Sequence, residues 1–505
     1  MLTTRTATAA AIVLLTLVRS SAADELRLLD AVKRQDEAGV RRLIRQKVDP
    51  EARQADGTTA LHWAAHRNNL GITLALLRAG AKVNVANELG VTPLVLAGEN
   101  GNGDMVAAFL DAGANPNVLT LAGESPLMAA ARSGSQPAVA ALLKRGANPN
   151  AAERTRGQTA LMWAVAAQQP GAVRLLLAAG ADVNARTASN RRLVYTGFRY
   201  ITSPPAESSN TVMEVDLGGF SPILFAAQQG NVEVATLLLE AGANKNDQSG
   251  LGQTPLIVAA HSNHADLVRL LLDRGADPNA GAVGHSALHA AVLLGNVDAV
   301  KMLLAAKADP NARITKGEPV RKYGQEYALT ANLKGATPLW LAARFAEPSI
   351  ASALLQAGAD PQARSDDGVP AILAAIPAGG QGDRRERYMT DVEAANQVPG
   401  DVERSSLEVL KTFVEGGATL DAKDKAGDTL LHLAAVRGYD TIIQFLADRG
   451  MDLNARNARD LTPLGVSMAR RRGVPRAASA GSEPTPVAEP PRSSTTALLL
   501  ALGAK

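Results

Sequence analysis

The stretch Gly427–Asn454, GDTLLHLAAVRGYDTIIQFLADRGMDLN, reads as a helix, a tight turn, a second helix and a glycine stop. Thr429 can accept a hydrogen bond from the free N–H groups of the helix that starts after it. Leu431, Leu433, Ala434 and Ala435 follow, and Gly438 ends the first helix. Ile442, Ile443, Phe445 and Leu446 recur at helical spacing and give the second helix an apolar side. Gly450 supplies the left-handed residue at its end, and Asp452 and Asn454 suit the turn beyond. Two helices this short cannot bury their apolar faces alone. The unit needs neighbours of its own kind.

The chain provides them. A glycine two residues ahead of the capping position recurs at Gly57, Gly90, Gly123, Gly157, Gly219, Gly252, Gly284, Gly335, Gly368 and Gly427, and Asp460 takes the place once more. Successive spacings are 33, 33, 34, 62, 33, 32, 51, 33, 59 and 33. A period that returns after every long gap marks a stacked array with three inserts.

The repeated residues resemble the ankyrin repeat. Its opening half stands as TPLVLAG at Thr92, SPLMAAA at Ser125, TPLIVAA at Thr254 and TPLWLAA at Thr337. Its closing half stands as Gly113–Ala114–Asn115–Pro116–Asn117 and Gly275–Ala276–Asp277–Pro278–Asn279. Pro370 replaces a capping Thr, Lys307 a stop glycine and Met451 an alanine, which would loosen single repeats without threatening the fold. The resemblance implies an all-α solenoid of helix-turn-helix repeats with projecting finger turns. It also implies a non-catalytic scaffold that holds another protein on its concave face and fingers.

Along the chain, residues 1–23 have the layout of a secretory signal peptide: Arg5, an apolar run from Ala7 to Val18, and small residues Ser21–Ala22–Ala23. Export to the periplasm or beyond is the expected localisation, with no membrane-spanning segment left after cleavage. Residues 24–55 form an amino-terminal capping repeat, with Arg41, Arg42, Arg45 and Lys47 crowding its second helix. Repeats occupy 56–186, 219–313 and 335–456, with inserts at 187–218, 314–334 and 378–404. Residues 457–505 form a last repeat interrupted by a Pro/Ser/Ala-rich linker at 473–494. The apolar stripes, including Ala64–Ala65, Ala129–Ala130, Leu142–Leu143 and Leu175–Leu177, are expected to be core.

The inserts carry the candidate site. Five of the six tyrosines lie in them, where an even spread would put about one. Tyr195, Phe198, Arg199 and Tyr200 in the first insert, and Arg321, Tyr323 and Tyr327 in the second, are the expected partner contacts, because Tyr and Arg anchor interfaces. The alternative, that these rings fold each loop back onto the array, stays open. The third insert, with its charge run and few apolar residues, reads as disordered.

Catalytic signatures are missing. The chain has no cysteine, no phosphate-cradling glycine loop and no nucleophile-elbow serine. His62 and His66, like His285 and His289, stand four apart, a spacing that can serve a metal, yet no carboxylate completes the pattern. His62, His289 and His432 occupy a structural position of the repeat, and His261 with His264 ends a first helix, where a cation meets the dipole favourably. No metal or cofactor is expected. With 52 basic against 49 acidic residues there is no electrostatic case for nucleic acid. A monomeric protein-binding scaffold is the expected function. The alternatives are a cell-envelope element that binds wall polymer or lipid headgroups, and a hydrolase housed in the inserts.

Overall fold

The computed structural model describes residues 26–195, 212–315, 333–376, 399–469 and 494–505. Contacts group the chain into two units: Met1–Asn190 with Asp216–Gly250, and Arg191–Val215 with Leu251–Lys505. Each is a stack of helix pairs, as the period predicts.

In the first unit the pairs are α1 (residues 26–33) with α2 (Glu37–Arg45), α3 (Ala60–His66) with α4 (Leu70–Arg78), and α5 (Pro93–Glu99) with α6 (Gly103–Asp111). They continue as α7 (Pro126–Ser133) with α8 (Gln136–Lys144), α9 (Ala160–Ala166) with α10 (Pro170–Ala178), and α11 (Pro222–Gln229) with α12 (Val232–Glu240). First helices pack on first helices and second on second. Leu76, Leu142, Leu176 and Leu238 are fully buried between second helices, each stabilising by about 1.5–3 kcal/mol. Small residues let first helices close up. A Cβ on Gly98 would come within 2.8 Å of the Pro126 carbonyl oxygen.

The second unit repeats the plan: α13 (Pro255–His261) with α14 (Ala265–Asp273), α15 (Ala287–Leu293) with α16 (Val297–Ala305), and α17 (Pro338–Arg344) with α18 (Pro348–Gln356). Then come α19 (Ala371–Ala374) with α20 (Pro399–Glu415), α21 (Leu430–Arg437) with α22 (Asp440–Ala447), and α23 (Pro463–Ala469) with α24 (Ser494–Ala501).

Capping explains where the helices begin. Thr59, Ser125, Thr159, Thr254 and Thr337 each accept from the N–H three residues on, and Pro at the first helical position gives up no needed donor. Pro370 offers no side-chain acceptor, and α19 after it is only four residues long. Lys307, in a stop-glycine place, takes the left-handed conformation at φ 67°.

Two ladders tie the pairs together. Asn84 Nδ2 donates to the Gly113 carbonyl at 2.9 Å while its Oδ1 accepts from the Asn115 N–H at 2.8 Å. Asn117, Asn150 and Asn184 repeat this in the first unit, and Asn279 and Asn311 in the second. Along the fingers, one N–H per repeat donates to the preceding finger: Glu88 to Asp56, Leu121 to Leu89 and Arg154 to Ala122, all at 2.9 Å. Gly90 has φ 74°, and a Cβ there would lie 2.9 Å from the Leu121 nitrogen, so this finger requires glycine.

The inserts leave both ladders intact at their bases. Asn184 reaches across the first insert to Gly242 and Asn244, and Asn311 across the second to Gly358 and Asp360. The arginine two residues further on pins the finger. Arg186 donates to the Gly219 and Gln248 carbonyls at 3.1 and 2.8 Å and pairs with Asp247. Arg313 donates to the Arg364 carbonyl at 2.9 Å and to Asp366 at 2.8 Å. Arg364 and Arg456 stand in the same place ahead of the two other interrupted repeats, bonding Gly368 and Lys423, and Asp460. Arg53 shares the place before an uninterrupted repeat and has no such bond among the described residues.

Two expectations need correction. The first insert is not only loop: its ends form β1 (Ser189–Tyr195) and β2 (Val212–Gly218), paired in a two-stranded sheet. The third insert ends earlier than expected, because α20 begins at Pro399 and runs 17 residues where the other second helices have eight or nine. Proline suits a first helical turn, and Glu403 in the turn that follows accepts from the Thr441 and Ile442 N–H groups that open α22. At the far end, α24 packs on α23, and Lys505 N–H donates to Asn454 Oδ1 at 2.6 Å, continuing the asparagine ladder. Residues 1–23 lie outside the described residues. Among those described, no helix is long and apolar enough to cross a membrane.

Candidate functional site

The structure describes little of the tyrosine-bearing loops. Tyr195 is the last residue of β1. Phe198, Arg199, Tyr200, Arg321, Tyr323 and Tyr327 lie outside the described residues. The candidate site instead emerges from the fourth residue of each first helix.

In α3, α5, α7, α9 and α11 of the first unit that position holds Trp63, Leu96, Ala129, Trp163 and Phe225. All but Ala129 are half-buried; of the stripes expected to be core, Leu143, Leu175 and Leu177 are half-buried too, since each second helix buries only the side that meets its neighbours. In the second unit the same position holds Val258, Ala290, Leu341, Ala374, Leu433 and Val466, all buried. Three residues on, the first unit exposes His66, Glu99, Arg132, Ala166 and Gln228, whereas in the second His261 and Leu293 are buried and Arg344 and Val436 half-buried. The first unit therefore presents an open face that carries three large rings, and the second buries the corresponding row. Beside that open face the fingers expose Leu89, Leu119 and Leu121, at 65%, 41% and 63% of their surface.

Charge and hydrogen bonding set these rings. Lys33 Nζ lies 4.8 Å and Arg67 Cζ 5.9 Å from the Trp63 ring centre, and the His66 ring meets Trp63 edge-on at 5.7 Å. Trp63 Nε1–H donates to Gln54 Oε1 at 2.7 Å, fixing the indole to its finger. Arg132 lies 4.8 Å from the Trp163 ring centre and 3.5 Å from Glu99. Glu153, which stands in the place of Gln54, turns into its own finger to accept from Thr155, Arg156 and Gln158. Trp163 Nε1–H is consequently left without an acceptor among the described residues.

The histidines do structural work. His62 Nδ1 accepts from the Thr59 N–H at 3.2 Å and lies 2.8 Å from the Thr59 hydroxyl, so Nε2 carries the proton and donates to the Val91 carbonyl of the next finger at 2.9 Å. His289 and His432 repeat the arrangement towards Ala336 and Leu461. Trp340 takes the same place, its indole N–H donating to Val369 at 3.1 Å. Burial pushes His62 below its ordinary range and His289 to about 4. His261 and His285 face each other with Nε2 atoms 2.6 Å apart and rings nearly perpendicular. Burial lowers His261 to about 4, so it meets the helix end as a neutral ring and not as the expected cation. Among the described residues no three His, Cys, Asp or Glu side chains gather as metal ligands.

Sequence reasoning missed Trp63, Trp163 and Phe225. The signal was present in HWAA, MWAV and LFAA: a bulky ring amid alanines on a helix that otherwise uses small residues to pack.

A family model described as ankyrin repeats (3 copies) matches residues 28–120, 105–187 and 223–314, and one described as ankyrin repeat matches 334–366 and 426–458. Together they cover more than half of the chain. The mouse (Mus musculus) B-cell lymphoma 3 protein homolog is 32% identical over 173 residues, 30% of this chain and 38% of that protein. NF-kappa-B inhibitor alpha of Sus scrofa is 33% identical over 119 residues, 24% of this chain and 32% of the relative. A putative ankyrin repeat protein of fowlpox virus is 43% identical over 61 residues, 12% of either chain. The chain spans about a third of the length of the first two relatives.

Proposed function

The chain belongs to the ankyrin-repeat family, and we propose that its first unit holds another protein against the first-helix face and the adjoining fingers. One observation carries this reading: at the fourth position the first unit has Trp63, Leu96, Trp163 and Phe225 half-exposed, with only Ala129 of α7 buried among α3, α5, α7, α9 and α11, whereas the second unit buries every one. Large rings already fixed by neighbours lose little entropy on binding, which favours them as anchors. NF-kappa-B inhibitor alpha is named for a protein that it inhibits, which fits a protein as the ligand class. No catalytic apparatus enters the proposal.

The tyrosines and arginines of the inserts remain in it as further contacts: Tyr195, Phe198, Arg199, Tyr200, Arg321, Tyr323 and Tyr327. Their support is the pinning of both insert bases to the finger rows by Arg186 and Arg313. Export to the periplasm or beyond is also proposed, from the leader-like residues Arg5, Ala7–Val18 and Ser21–Ala23 and the lack of cysteine.

Affinity capture from an envelope extract tests the face. The unchanged chain, a Trp163→Ala/Phe225→Ala variant and a Tyr195→Ala/Phe198→Ala/Tyr200→Ala variant are compared at equal helicity. A protein held by the first and lost by the second supports the face, and its loss by the third adds the insert. Retention by the Trp163→Ala/Phe225→Ala variant at unchanged affinity contradicts the proposal.

A further inference from the structure

The two tryptophan clusters of the open face differ in charge. At Trp163 the stacked Arg132 has Glu99 beside it. At Trp63 two cations, Lys33 and Arg67, approach one indole, and neither takes part in an ion pair among the described residues. Several carboxylates of the same two repeats are committed elsewhere. Asp36 caps α2 through the Gly39 N–H, Glu37 pairs with Arg41, and Asp56 accepts from both the N–H and the hydroxyl of Thr58. Asp30, one turn before Lys33, is exposed and forms no ion pair with it. Arg34 and Arg53 add exposed positive charge on the same repeats.

Two like charges drawn to one ring repel each other, and at an exposed site the attraction of the ring for each cation is weak. Carboxylates arriving from a partner would turn that repulsion into attraction. Half-buried Leu96, on the helix that packs against α3, extends the apolar surface beside Trp63.

We infer that the partner segment seated at this corner is acidic, with Asp or Glu side chains reaching Lys33 and Arg67 and a neighbouring apolar side chain lying over Trp63 and Leu96. The inference rests on the proposed first-unit face and names the chemistry that face selects.

Isothermal titration calorimetry tests it on the full chain, using a synthetic peptide of glutamates interspersed with leucine and glycine. The comparators are the same peptide with Gln for Glu, and inorganic phosphate. Saturable binding of the acidic peptide is expected. The Lys33→Gln/Arg67→Gln variant should bind it about tenfold more weakly, whereas Arg42→Gln/Arg45→Gln on α2, equal in charge lost, should not. The inference is overturned by absent binding, by equal binding of the Gln peptide, by equal loss in both variants, or by complete displacement with phosphate. Should the peptide fail while Trp163→Ala/Phe225→Ala still abolishes capture of a protein, the acidic preference falls and the face stands.

Discussion

A histidine such as His289 is locked by its surroundings into one tautomer. Its Nδ1 accepts from the Ser286 N–H at 3.2 Å, so a proton added there would face a donor. His261 and His289 both sit near pKa 4 when folded, against about 6.5 when unfolded, because burial penalises the charged ring. On acidification the unfolded chain therefore takes up protons first. Stability should be level above about pH 6.5 and fall between there and pH 4, by about 1.4 kcal/mol per pH unit for each ring. Urea unfolding followed across this range should show the midpoint dropping, in the second unit first. A midpoint unchanged between pH 7 and pH 5 would refute the account of these rings. The position of His62, His289 and His432 was legible from the repeat pattern. Their reach to the next finger was not, because a sequence does not say which carbonyl a ring nitrogen will meet.

At the scale of the element, the pattern told where helices start and stop, since caps, prolines and stop glycines act locally. It said less about what joins one pair to the next. Asn84, Asn117 and Asn150 look like turn residues, yet each spans two repeats through both ends of its amide. Arg186 and Arg313 look like loop charges, yet they carry the finger row past an insert of some twenty to thirty residues. Replacing Arg186 by Ala removes two bonds to carbonyls and an ion pair that is partly exposed, so the expected cost is about 1–2 kcal/mol. Arg53→Ala should cost almost nothing. Chemical denaturation of the two variants checks this, and equal stability would mean that the clamp carries no energy. The exposure of Trp63 and Trp163 was hidden for a related reason. Helical periodicity shows which residues face a neighbouring helix, but not whether anything covers the fourth position from outside.

Across the whole molecule, one repeated plan serves two different surfaces. The second unit fills its fourth positions with Val, Ala and Leu and buries them, while the first places Trp63, Trp163 and Phe225 among them and leaves these rings half open. Nothing in the fold requires the difference, since both units carry the same ladders and caps. An apolar face held open against water is a cost that a bound partner would recover.

Hydrogen exchange of the full chain, free and in complex with the captured protein, tests this most directly. The account predicts added protection in α3, α5, α9 and α11 and in the fingers that carry Leu89 and Leu121, with the first helices of the second unit unchanged. Protection confined to α13, α15 and α17 would contradict it.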